Sequence, residues 1–517
     1  MNSKFPLSPI LGCTRHCLVL AALWLAPGAW CAGVGEADTV LLDRVQQRSR
    51  LSEHLLTLAW QNPVARQWRH LASLSQVAAG YGLRHETQAV VTQLGDHNEQ
   101  WTFDASTHIR HNTSTLWGGA HYDNGSTRGI AWNETSDFAI VYPYLLADSA
   151  ALAPLRHERY AFGGGYADHR GRFHWGGEAD YEAGHYYRNV DPRPRNVTAR
   201  LTVRGGAGLS LSPRYVADVA LGYVKYKQTN DVAFYSELGK EKLYHLTGLG
   251  NDYGRFAGAG DDCYYHGHQW QLMLGVVPVD RQGVAATVSA MRMTMDKVIT
   301  SLNKLPLAHI THTALNAEAA WAGAGWGVTA HIDAARRTGR ENIFGDPASS
   351  VYRQIAALDM YRENRFSTGV AAVWQHDATA WTLDVRPAVD YNHLNAIYAD
   401  PQCRQRNDDL TTAITLRGGW RTPNTHSTLT LGTAWTHPTH SELSLTGTKP
   451  ELEQLQLALE RDHCFASHNR TAVAAALAVS VSLNASLALQ ATLAWQCTAY
   501  TGNNRAHRLN TQVALIF

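Results

Sequence analysis

The sequence predicts an all-β chain: a transmembrane antiparallel up-and-down β-barrel of about 16 strands (between about 14 and 18), with a short N-terminal helix. Three observations predict it. Long segments alternate apolar and polar residues, tight turns and long polar loops take turns joining them, and the last alternating segment ends on Phe517.

The alternation is cleanest in the second half. In 381–391, Trp381, Leu383, Val385, Pro387, Val389 and Tyr391 face one way and Thr382, Asp384, Arg386, Ala388 and Asp390 the other. The segments 197–211, 326–334, 410–421, 473–483 and 487–497 repeat the pattern. The strands run about 11 to 16 residues, enough for a tilted strand to cross a bilayer and longer than sandwich strands. Turns at Ser212-Pro213-Arg214, Gly323-Ala324-Gly325, Thr422-Pro423-Asn424 and around Asn484 are short. Loops near 229–264, 298–308, 339–364, 396–408 and 439–466 are long and polar. That two-sided bias is the layout of an outer-membrane barrel. Counting back from Phe517 gives about thirteen strands from residue 196. An even total requires more upstream, for which 171–187, 158–168, 138–146, 114–122 and 99–110 are candidates. Trp101, Trp117, Trp175, Trp270, Trp321, Trp374, Trp435 and Trp495 are expected at the membrane interfaces, where indole rings prefer headgroup depth.

Composition agrees. Charged residues make up 17% of the chain, against about 25% in ordinary soluble domains. With 45 Lys+Arg against 44 Asp+Glu, no basic footprint for nucleic acid exists. A mean hydropathy of −0.28 excludes a polytopic helical membrane protein. Residues 1–32 read as a signal peptide: Lys4 and Arg15, a short apolar core over 18–27, then small residues. Residues 33–70 form a periplasmic or lumenal plug segment, with a helix over 37–60 stopped at Asn62-Pro63, and 71–517 form the barrel. In an oxidising compartment Cys263, Cys403 and Cys464 are candidates to pair, while Cys497 reads as a packing residue.

A charge facing mid-bilayer lipid costs about 2–4 kcal/mol. Arg200, Arg204, Asp218, His331, Asp333, Asp384, Arg386, Asp390, Arg417 and Arg421 are therefore expected to face the lumen, either bracing the barrel or lining a solute path. His266/His268, His309/His312 and His437/His440 are close pairs, yet no carboxylate or cysteine cluster completes a metal site, and no cofactor is implied. Phosphate loops, dinucleotide fingerprints and HExxH are absent, and no nucleophile stands out, so no enzymatic activity is expected.

Three resemblances follow. The terminal segment, with Leu509, Thr511, Val513, Leu515 and Phe517 on one face, resembles the last strand of bacterial outer-membrane barrels. That resemblance makes Phe517 an assembly signal and the barrel-assembly machinery a partner. Tyr187-Arg188-Asn189-Val190-Asp191-Pro192-Arg193-Pro194-Arg195-Asn196 resembles the YRxVDPRPRN signature of an uncharacterised outer-membrane barrel family found mainly in Bacteroidota. By itself this stretch reads as a rigid structural corner in which Asp191 pairs with Arg193 or Arg195. Asn62-Pro63, after the helix, is similar to the Asn-Pro-Ala box of fatty-acid-type outer-membrane transporters, which implies a lumenal hatch.

The functional expectation is a passive channel or transporter for an unknown small solute, set in outer-membrane lipid. The alternative is an envelope scaffold that presents its long loops, such as 229–264 and 439–466, to a partner.

Overall fold

In the computed structural model, residues 38–70, 72–149, 153–237, 242–347, 351–447 and 449–517 are described. The signal peptide expected over 1–32 and residues 33–37 lie outside them. Eighteen strands make one closed antiparallel barrel, each paired with its neighbours in chain order. The first strand, Leu74–Glu86, pairs with both the second, His97–Arg110, and the last, Arg505–Ile516, so no edge is left open.

The count exceeds the expected 16 by two, and the difference lies upstream. Thirteen strands run from Arg193 to the end, and five precede them. Residues 138–146, expected as a strand, instead form a helical turn at Phe138–Val141 and part of a loop, packed in the barrel mouth with no lipid face. Leu74–Glu86 escaped notice because its inner face carries Ala78, Gly80 and Gly82 in place of polar residues. That face packs against the N-terminal helix, so it needs to be small rather than hydrophilic. Strands are also longer than expected, reaching 24 residues in Gln354–Asp377, because many residues assigned to loops continue the ladder beyond the apolar belt.

The outer face is an apolar belt. In Trp326–Phe344 the outward residues Trp326, Val328, Ala330, Ile332 and Ala334 span nine positions, about 30 Å at about 3.3 Å each, before Arg336 turns the face polar. Trp321, Trp326, Trp381 and Trp420 ring the tight-turn end and Trp101, Trp270, Trp435 and Trp495 lie further along, all exposed on the outside. Trp117 is a correction to the expected girdle. It is buried inside the barrel, where its Nε1 donates to Glu178 at 3.2 Å.

The expected helix over 37–60 is also shorter. It runs Asp38–Arg48 and gives way to single 3-10 turns at Leu51–His54, Ala59–Gln61 and Ala65–Trp68. The cause lies in the wall: Asp384 takes the backbone N–H of Leu51 at 3.1 Å, and Glu318 takes those of Thr57 and Leu58 at 3.0 and 2.9 Å. Donors committed to wall carboxylates no longer continue a helix.

Candidate functional site: a lumen occupied from both ends

Residues 38–70 lie inside the barrel at its tight-turn end. Leu41, Leu42 and Val45 pack on Leu74, Ala78, Ala488, Ala514 and Ile516. Trp60, Val64, Ala65 and Trp68 pack on Val216, Val277 and Ala285. Between these apolar patches the contacts are ionic or hydrogen-bonded, and the wall supplies buried carboxylates. Asp384 accepts from Arg50 at 2.6 Å, Glu318 from Thr57 Oγ1 at 2.9 Å, and Glu178 from Arg66 at 2.7 Å. Arg50 also pairs with Asp377, Arg417 donates to Ser49, and Arg421 pairs with Asp43.

The Asn62-Pro63 turn has a fitted seat. Asn62 Nδ2 donates to Asp218 Oδ1 at 2.5 Å, and Asn62 Oδ1 accepts the N–H of Val64 at 2.9 Å. The wall opposite is glycine: a Cβ at Gly176 would come within 3.0 Å of the Pro63 carbonyl, and one at Gly206 within 3.0 Å of Asn62 Oδ1. Glu53 of the segment bonds Arg281, in the turn after Asp262–Pro278, at 2.7 Å and lies 3.6 Å from His70. Burial alone would raise the Glu53 carboxyl, but the His70 contact and the Arg281 charge outweigh it and hold Glu53 below its ordinary value. Burial pushes His70 down, as it does His54, where the Arg386 charge adds to the effect.

The other end is closed by loops. Residues from 129–149 and 242–261 fold into the mouth, where Leu146–Ala147, Tyr244–Gly248 and Asn251–Asp252 form a small sheet of their own. Tyr144, Leu145, Leu146, Leu243 and Leu246 are buried there, and Leu452 and Leu455 beside the helix start at Glu453 close over them. Wall side chains hold the loop backbone: Tyr265 and Lys297 donate to the carbonyls of Tyr144 and Leu145 at 2.6 and 2.8 Å, and Arg337 to that of Tyr142 at 3.0 Å.

The 187–196 stretch anchors this cap. Arg188 is buried and donates to both oxygens of Glu134 at 3.0 Å, and Asn196 donates to the Glu134 carbonyl at 2.9 Å. Asp191 pairs with Arg193 at 2.6 Å and accepts the N–H groups of Tyr235 and Ser236, while Arg193 stacks on Tyr235. The Pro194 carbonyl accepts the Arg188 N–H. Tyr187 and Arg195 pair across the same corner, flanked by Pro192.

The barrel holds chambers of about 460 Å³, beside Arg66 of the plug, and about 500 Å³, beside Phe465 and Tyr500. Asp104, His121, Asp180, Glu182 and Arg200 line the first, where His121 bridges Asp104 at 2.6 Å and Asp123 at 2.9 Å. Arg204 stands at its edge, 2.5 Å from Glu178. Asp333, Arg365, Asn392 and Asp409 line the second, and His331 lies 3.8 Å from both Asp333 and Asp390. Arg386 points inward beside His54, and Asp218, Asp384, Arg417 and Arg421 serve the plug.

Sequence reasoning missed Glu318, Glu178, Glu134 and Glu53. Glu318 had a signal: one carboxylate in Ala317-Glu318-Ala319-Ala320, at a register position shared with Asn316. The others lie in stretches without clean alternation. Cys263, Cys403, Cys464 and Cys497 are each free, so the three candidates for pairing are not joined. His266 and His268 face outward, 4.6 Å apart by ring centroid, and no metal-holding group of three or more His, Cys, Asp or Glu occurs among the described residues.

These features define a class: a closed β-barrel, apolar on its outer face, whose own chain enters the lumen from both ends. The chain belongs to the family of unknown function DUF6850, whose model matches residues 63–517. No curated protein sequence matches it. Among solved structures it is similar to the copper transporter OprC (10% identity, TM-score 0.40, 87% of this chain and 81% of that one). It is also similar to a mutant of the ferric enterobactin receptor PfeA of Pseudomonas aeruginosa (9%, 0.38, 86% and 80%). A third is a bacterial polysaccharide outer membrane secretin (10%, 0.36, 86% and 98%).

Proposed function

We propose that this chain is a bacterial outer-membrane barrel that passes a small polar solute through its lumen, with residues 38–70 as the gate. The observation that carries the reading is the chemistry of the plug seat. Asp218, Glu178, Glu318 and Asp384 are buried wall carboxylates, and each accepts a hydrogen bond from the plug. A permanent filler is held more cheaply by apolar packing, since buried ion pairs add little net stability. Polar latches have the opposite property: when the segment leaves, water replaces every lost bond.

Transport is passive in this reading, with no catalysis and no cofactor. The assembly machinery is its partner through the terminal strand, and 187–196 serves as the family's signature because it anchors the cap. Presentation of long loops to another protein is less supported, because the loops over 129–149 and 242–261 bury their apolar residues in the mouth.

The test is a planar-bilayer recording of a Ser52→Cys/Gln375→Cys double variant, whose parent side chains bond at 3.0 Å. A gate predicts a closed channel when the pair is oxidised and conductance restored by reductant. Identical currents in both states would remove the gate, and silence even after deletion of 38–70 would remove the channel.

A further inference from the structure

On the outside of the barrel, just beyond the apolar belt at the long-loop end, positive charge gathers on one side. Lys225, Lys227, Arg292, Arg336 and Arg362 all point outward and are exposed. Among the described residues none of the five makes an ion pair. Strand register aligns them: Tyr223, Trp270 and Arg292 form one row that continues through Thr313 to Arg336. The next row runs Lys225, His268, Thr294, Thr311, Thr338, Arg362. The carboxylates on this face are Asp296, paired with His309 at 2.7 Å, Asp359, paired with Arg340 at 2.7 Å, and, nearer the loops, Asp231 with Asp262 opposite it. The opposite side differs. Strands Arg470–Asn484 and Leu487–Ala499 carry no outward charge, and on His97–Arg110, Thr115–Arg128 and Leu155–Arg170 the outward Arg128 and Arg156 are offset by Glu99, paired with Arg128 at 3.3 Å, and Glu158.

We propose that this patch is a docking site for one lipid whose headgroup carries more than one phosphate, in the leaflet on the long-loop side. The inference rests on the membrane reading above. Charge complementarity and depth carry it. Tyr223 and Trp270 mark the interface; Arg292 and Arg336 share their row and Lys225, Arg362 and Lys227 lie one or two steps beyond, so all five sit at headgroup height. Strands lie about 4.8 Å apart, which separates Lys225 from Arg292, and Arg292 from Arg336, by about 10 Å. Groups on opposite sides of the patch therefore meet different phosphates, and the threonine hydroxyls between them donate to sugar or phosphate oxygens. Guanidinium takes phosphate oxygens in pairs, which favours this headgroup over a zwitterionic one.

The full chain is reconstituted in phosphatidylcholine vesicles doped with diphosphorylated lipid A, and retained lipid is counted by native mass spectrometry. Wild type is expected to keep lipid A over phosphatidylcholine. Replacing all five residues (Lys225→Ser, Lys227→Ser, Arg292→Ser, Arg336→Ser, Arg362→Ser) lowers retention more than about ten-fold. A control with Arg128→Ser and Arg156→Ser, outward on the other side, retains it. A heat-modified gel shift verifies that each variant is folded. Equal retention by the five-fold variant, or equal competition by inorganic phosphate, overturns the site while leaving the membrane reading intact. Failure of wild type to enter any vesicle overturns both.

Discussion

Thr57 is fixed to the barrel wall by Glu318 through two bonds to one oxygen: its backbone N–H and its hydroxyl reach Oε1 at 3.0 and 2.9 Å. The second oxygen takes the N–H of Leu58 at 2.9 Å. Bonds to a charged acceptor contribute about 1.5–3 kcal/mol each. Glu318→Ala removes all three and is expected to raise the open probability of single channels at least ten-fold, a change of about 1.4 kcal/mol or more. Thr57→Ala removes one and has a smaller effect in the same recording.

Arg188 and Glu134 anchor the cap from opposite sides of a fully buried pair. Removing one member strands the other charge, at a cost of about 3–5 kcal/mol. Arg188→Ala is expected to expose the loop around Glu134 to limited proteolysis and to lower the melting temperature. Arg188→Met with Glu134→Leu should recover most of the loss, because no orphaned charge remains.

Acid should release the plug in two stages. His54 and His70 are pushed below their ordinary 6.5, so the docked state disfavours their protons. Docking is strongest above that value and weakens as the pH falls through it. Glu53 is held below its ordinary 4.5, so its contribution is full above 4.5 and lost as the pH falls through the lowered value. Conductance measured against pH should rise first below about 6.5 and again below about 4.5. Glu53→Gln is expected to abolish the second rise and keep the first.

Ile332 faces outward in the middle of the belt, between Ala330 and Ala334, whereas Asp333 faces in. Ile332→Arg should cost about 2–4 kcal/mol of stability in bilayers. Urea titration of the folded barrel reads it, and an unchanged midpoint would mean that this face meets no hydrocarbon.

How much of this was legible depends on what each strand face touches. Where one face meets lipid and the other water, as in 381–391, period two exposes the strand directly. Leu74–Glu86 meets the helix on its inner face, so its pattern is apolar against small, and it passed unseen. Phe138, Ile140, Tyr142 and Tyr144 alternate like a strand, but they pack around a cap core, a setting that local pattern cannot distinguish from a barrel wall. The plug was foreseeable as a segment; its wall partners were not. Glu318 and Thr57 stand 261 positions apart, and only closure of the sheet brings them together.

The terminal residue separates assembly from stability. Phe517 and Ser75 exchange both backbone bonds, at 2.8 and 2.9 Å, while the phenyl ring is 53% exposed on the outer face. The ring is therefore dispensable for sealing the barrel. Phe517→Ala keeps both bonds, so the melting temperature of the finished barrel should barely move, as for most exposed substitutions. If the ring is what the assembly machinery reads, insertion in cells falls steeply in the same variant. Deleting residue 517 removes ring and bonds together and should lower both quantities. Equal insertion of Phe517→Ala and wild type, measured as folded protein per total protein in the membrane fraction, would assign the end of the chain to closure alone.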